Sequence, residues 1–189
     1  MEVAVTTARY RLDATAAGVR AVIPAPRRWL VVVFLSLWLC GWVFGEFSVA
    51  PELLSSDSKA PVAFLTFWLL GWTIGGLVVV TTLLWQLFGV ESVEVGPMAL
   101  SYRAEVFGIG RTREFRVADI RRLRAVDFAQ GLFMNRRLPV PPLFGRGYGP
   151  LAFDYGARTY RIAPSLDEAE ARLLVNEIAP RLPKFCRES

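Results

Sequence analysis

The sequence predicts a membrane α-helical hairpin joined to a cytoplasmic α+β domain, an antiparallel sheet closed by a C-terminal helix. Three observations carry this. Two long stretches lack any charge, and arginines gather on both outer sides of those stretches rather than between them. Beyond them the apolar periodicity changes first to two and then to helical spacing.

The first uncharged stretch is the seventeen residues between Arg28 and Glu46, "WLVVVFLSLWLCGWVFG", and the second is the thirty-one between Lys59 and Glu91. Crossing a bilayer core takes roughly 20 apolar residues, with about 17 tolerated. Within the helical region 29–89 the expected spans are 29–48 and 61–89, the first reaching across when Glu46 and Phe47 sit at the interface. A secretory signal peptide fits the first stretch poorly, because 28 mixed residues precede it and no small-residue cleavage site follows. The chain is also 53% hydrophobic, high for a protein that must clothe itself in water.

Orientation follows from the cations. Arg9, Arg11, Arg20, Arg27 and Arg28 precede the first stretch, and Arg103, Arg111, Arg113, Arg116, Arg121, Arg122 and Arg124 follow the second. The connecting loop carries Glu46, Glu52 and Asp57 against Lys59 alone. A positive-inside bias then places both termini in the cytoplasm and the short loop outside. Only Lys59 and Lys184 among the 22 basic residues are lysines, a preference that a GC-rich genome explains as well as any function. Cys40 in the first span and Cys186 in the tail are not expected to pair.

Residues 1–28 form a cytoplasmic N-terminal segment with two β-prone stretches, Arg9–Leu12 and Val19–Ile23, around a turn at Ala16–Gly18. A hairpin is expected, ended by Pro24 and Pro26. Past the second helix, in the region 90–189, "MALSYRAEVF" alternates: Met98, Leu100, Tyr102, Ala104 and Val106 share one face. "GIG" turns the chain, and "RTREFRV" answers as a partner strand. "DIRRLRAV" continues as a strand, and "LAFDYGARTYRIA" is a second hairpin around Gly156. The last helix is expected to open on a capping box from Ser165 to Glu168, with Leu166, Ala169, Leu173 and Ile178 as its apolar stripe. The long loop 127–150 separates the two hairpins.

The stretches "IPAPRRWL…FLSLWLCGWVFGE", "FWLLGWTIGG…LLWQLFGVE", "FGIGRTREF" and "FDYGARTY…LDEAEA" together resemble a family of small bacterial two-helix membrane proteins with a C-terminal pleckstrin-homology-like domain. The resemblance implies a PH-like sheet on the cytoplasmic side. It brings no catalytic residues with it.

"GWVFG" at Gly41–Gly45 and "GWTIG" at Gly71–Gly75 are one phrase written twice. Small-xxx-small spacing lets a second backbone approach closely. With ~1.5 Å rise per residue, Gly41 and Gly45 overlap Gly71 and Gly75 in depth. Glycine against glycine within the hairpin, flanked by Trp42 and Trp72, is one reading. Packing against another membrane protein is a second, and ordinary membrane composition a third. Trp72 falls too near mid-membrane to be an interface anchor.

Catalysis finds no constellation. Histidine is absent, which removes the usual hydrolytic triad, the commonest metal ligand and axial haem ligation. The glycine pairs "GIGR" and "GRGYG" lack the lysine of a phosphate-binding loop. No metal, no cofactor, no nucleic acid and no small-molecule substrate is expected. Glu46 and Glu91 are read as helix-end residues at the interfaces. Two features suit binding. Arg111, Arg113, Arg116, Arg121, Arg122 and Arg124 form a basic face, suited to anionic headgroups or simply solvated. Leu132, Phe133 and Met134 beside Arg136 and Arg137 suit a partner or membrane-surface contact. The expected role is therefore a non-enzymatic, membrane-anchored accessory subunit docking on a larger inner-membrane complex, respiratory and photosynthetic assemblies included. The alternative is a PH-like module binding membrane lipid in sensing or envelope maintenance.

Overall fold

The computed structural model describes residues 8–16, 18–54, 61–126 and 149–186. The chain divides into two compact units, Arg27–Leu87 and the combination of Met1–Pro26 with Phe88–Ser189.

The first unit is two helices, α1 (Trp29–Leu54) and α2 (Val62–Phe88). Both are long and apolar enough to cross a membrane, and few residues of their most apolar stretches are buried within the protein. Leu30 is 89% exposed and Phe67 78%. A soluble protein's core helix would be covered instead. The first helix runs beyond the expected end at residue 48, continuing through Pro51.

The second unit opens with a five-stranded antiparallel sheet in the order β1 (Arg11–Thr15), β2 (Gly18–Pro24), β3 (Gly89–Val95), β4 (Ala99–Val106), β5 (Ile109–Arg116). Strand β2 pairs with β3 from Val19 opposite Val95 to Pro24 opposite Val90. The N-terminal hairpin is thus part of the sheet rather than a segment of its own, and the helical hairpin is an insertion between two neighbouring strands. A 3-10 turn at Val117–Asp119 leads to a three-stranded sheet, β6 (Ile120–Ala125), β7 (Leu151–Tyr155) and β8 (Arg158–Ile162). The alternation expected in β4 holds where it matters: Leu100, Tyr102 and Ala104 are buried, while Met98, just ahead of the strand, is exposed.

Aromatic rings join the two sheets. Phe115 on β5 meets Phe153 and Tyr160 edge-on at centroid distances of 4.9 and 5.0 Å, a favoured geometry for such pairs. Helix α3 (Glu168–Ile178) closes the unit. Its buried residues are Glu170, Ala171, Leu174 and Ile178, so the stripe lies one or two positions away from the expected Ala169 and Leu173, and Leu173 is exposed. The capping box is also displaced: Asp167 accepts from the Glu170 backbone N–H, and the Glu170 carboxylate accepts from Asp167 N. Ser165 is engaged elsewhere.

Candidate functional site

The repeated phrase sits at the contact between α1 and α2, and the rings do the packing. Trp42 Nε1 donates to the Trp72 carbonyl at 2.8 Å, and Trp72 Nε1 donates to the Trp42 carbonyl at 3.3 Å. Each indole crosses to the other helix and bonds the backbone of its own counterpart. The rings fill notches left by glycines. A Cβ on Gly45 would lie 3.3 Å from the Trp72 ring, and one on Gly76 would lie 2.2 Å from the Trp42 ring. Gly41, Gly71 and Gly75 have no such neighbour within 4 Å. The glycine-against-glycine arrangement is therefore replaced by tryptophan in glycine, twice, related by an approximate exchange of the two helices. Gly76 lies just outside the repeat, and the doubled glycine of "GWTIGG" is the signal that could have found it.

Polar contacts extend this seam. Thr73 Oγ1 donates to Glu46 Oε1 at 2.8 Å. Glu46 is thus a seam residue well inside α1, not a helix-end residue, and its Oε2 is buried with no hydrogen-bond partner among the described residues. Trp72 also stacks on Trp68 at 5.4 Å and lies 6.2 Å from Trp38. Indoles at four-residue spacing on α2 fall on one side of the helix, which builds this column.

Within the sheet unit, Glu91 also departs from the expected helix-end position. It lies in β3 and is fully buried, where the sequence suggested an interface position. Ser165 Oγ donates to Glu91 Oε1 at 2.7 Å. Burial pushes the carboxyl up to about 7, against the lowering effect of hydrogen bonds from the Ser165 side chain and backbone and from Tyr102. A further buried carboxylate is Glu170, 2% exposed. Arg9 grips it with Nε to Oε1 at 2.9 Å and Nη2 to Oε2 at 2.8 Å, and reaches the Ser165 carbonyl at 3.1 Å. Burial alone raises Glu170, but the bonds from Arg9 and Asp167 together outweigh it and hold the carboxyl below its ordinary value. The neighbouring Tyr10 hydroxyl is pushed up to about 12, first by burial and then by Glu177 on α3. Arg9 and Tyr10 therefore tie the chain ahead of β1 to that helix. No periodicity marks such a contact in the sequence.

The six arginines do not make one face. Arg111 and Arg113 alternate to the Phe115 side of β5 and Arg116 to the other, and the 3-10 turn then carries the chain to a different sheet. Arg122 and Arg124 both pair with Asp154 on β7. A β-bulge between Arg121 and Arg124 puts Arg122 at φ 49° and aims it there. The Thr159 hydroxyl chiefly, with Arg124 and Arg122, holds the Asp154 carboxyl below its usual value. The Arg121 guanidinium lies 4.4 Å from the Phe185 ring centroid. Arg111, Arg113 and Arg116 form no ion pair among the described residues. Leu132, Phe133, Met134, Arg136 and Arg137 lie outside the described residues. The flanks of that loop are joined, since Ala125 pairs with Leu151 and Val126 N donates to the Pro150 carbonyl at 2.8 Å.

Comparison with protein-family models, with curated proteins and with solved structures gives no match.

Proposed function

We propose that this chain is a non-enzymatic, membrane-anchored accessory subunit that docks on a larger inner-membrane assembly, with its PH-like sheet unit in the cytoplasm. One observation carries the docking: the hairpin uses Gly45 and Gly76 for its own closure and leaves Gly71 and Gly75 open. Around them Phe67, Ile74 and Val78 are exposed on the same side of α2. A groove of that kind admits a further helix at close range, the usual basis of helix association in lipid. The uncovered apolar surface of both helices supports the membrane placement, because large exposed apolar patches are rare on proteins in water. The arginines flanking both helices support the cytoplasmic side. The five plus three antiparallel strands and the closing helix support the PH-like reading.

Purification from native membranes in mild detergent, followed by mass spectrometry, tests this. A salt-resistant assembly is expected, lost on Gly71→Ile with Gly75→Ile while the isolated protein melts unchanged. Elution as a monomer that binds anionic liposomes would instead support the lipid-binding alternative and overturn the subunit reading.

A further inference from the structure

The turn between β4 and β5 is built from unsuitable residues. Phe107 and Gly108 both have positive φ, 53° and 78°, as in the two-residue type I′ hairpin. That geometry favours Asn, Asp or Gly at the first position, and a bulky residue there is strained. Phe107 is nonetheless 67% exposed and Ile109 81% exposed, so neither is held there by a core. A strained, apolar, uncovered turn calls for a contact outside the unit.

The register says where the turn lies. Val106 pairs with Gly89, the residue that follows the end of α2. The Phe107 ring lies 4.5 Å from that of Phe88, the last residue of α2. The turn therefore lies beside the point where the chain leaves a helix long and apolar enough to cross a membrane. Cations frame it: Arg103 Nη2 donates to the Gly108 carbonyl at 2.8 Å and pairs with Glu105, and Arg111 is exposed just beyond Ile109.

We infer that the Phe107–Ile109 turn inserts into the headgroup region of the bilayer that the helices cross, Phe107 and Ile109 entering it and Arg111 meeting anionic headgroups. Phe and other apolar side chains of surface-bound segments reach roughly 5–10 Å into the boundary between headgroups and acyl chains. The insertion makes a further point of membrane attachment beside the helices themselves. It rests on the membrane-spanning reading.

The test uses full-length protein in vesicles of phosphatidylcholine and phosphatidylglycerol, in a Cys40→Ser background, Cys186 being buried. An environment-sensitive dye is attached at Ile109→Cys, Met98→Cys or Leu37→Cys, and quenched by lipids carrying a nitroxide either high on the acyl chain or deep. The shallow quencher should act several-fold more strongly at Ile109→Cys than at Met98→Cys, which lies at the opposite end of β4. Adding Phe107→Asn, which suits the turn, should abolish that difference without lowering the melting temperature in detergent. Deep quenching at Leu37→Cys with equal shallow quenching at Ile109→Cys and Met98→Cys would overturn the insertion alone. Absence of deep quenching at Leu37→Cys would overturn the membrane-spanning reading beneath it.

Discussion

Replacing Glu91 with glutamine should stabilise the protein at pH 8 and leave it little changed near pH 4. The carboxyl is fully buried in β3 and its pKa is raised from 4.5 to about 7. In the unfolded chain it ionises near its ordinary value. Between those two values the folded form keeps a proton that the unfolded form has lost, so stability falls as pH rises through this window and levels off above about 7. At about 1.4 kcal/mol per pH unit, the full effect is about 3 kcal/mol. At roughly 2–8 °C per kcal/mol, the variant should gain on the order of 10 °C in melting temperature at pH 8. The Ser165 hydroxyl still has an amide oxygen to donate to, and burying a neutral group costs far less than burying an ion. The assay is thermal unfolding in detergent at half-unit pH steps, read as wild type minus variant so that other titrations cancel. A difference that stays flat from pH 4 to 8 would refute the buried, proton-retaining carboxyl.

The glycines of the helical hairpin should divide sharply. Gly76→Ala drives a methyl into the Trp42 ring and should cost about 1–3 kcal/mol by overpacking, whereas Gly71→Ala meets open space and should be neutral in the same melting assay. Trp42→Phe and Trp72→Phe each remove one indole N–H, at a cost of about 0.6 kcal/mol apiece and at most about 1.7. A double-mutant cycle should show coupling between them, because the two rings lock each other. Asp154→Asn should remove an acid-side component of stability. A depressed carboxyl stabilises the fold above its unfolded pKa and loses that contribution as pH falls through the folded value, so the acid limb of the wild-type melting profile should flatten in the variant.

The parts readable in the sequence are those governed by local pattern. Uncharged length marks α1 and α2, and alternation marks β4, because burial on one face repeats every second residue. The second hairpin is readable for the same reason, with Gly156 at its turn. What escapes depends on residues far apart in the chain. Pairing of β2 with β3 joins Ile23 to Glu91 across the whole helical insertion, and nothing near Ile23 announces it. The capping box moves from Ser165 to Asp167 because the Ser165 hydroxyl is bound to Glu91, 74 residues away. The glycine repeat points to the right place with the wrong partner: small-residue spacing records that something approaches closely, and an indole ring serves as well as a backbone. The arginines read as one face only when a strand is carried through Val117–Asp119, where the 3-10 turn changes sheets.

The sheet also bears on topology, independently of where the arginines fall. Strands β2 and β3 are antiparallel neighbours, with Pro24 opposite Val90. The chain leaves the sheet at Pro24 and rejoins it at Gly89, whose carbonyl accepts from Ala25 N at 3.0 Å. Two ends so close cannot lie on opposite sides of a hydrocarbon layer about 30 Å thick. If the helices cross a bilayer, they must cross it an even number of times, or the residues from Val19 to Pro24 would be torn from β3 and their ladder hydrogen bonds lost. Impermeant thiol labelling of intact cells, in the Cys40→Ser background, reads this directly. Ser58→Cys in the connecting loop should be tagged, and Arg11→Cys on β1 and Thr112→Cys on β5 should stay untouched until lysis. Tagging of both strand positions with Ser58→Cys protected would invert the orientation yet keep the even crossing. Tagging of one strand position and not the other would mean that β1 and β5 do not share a sheet, and the discontinuous domain would fall with it.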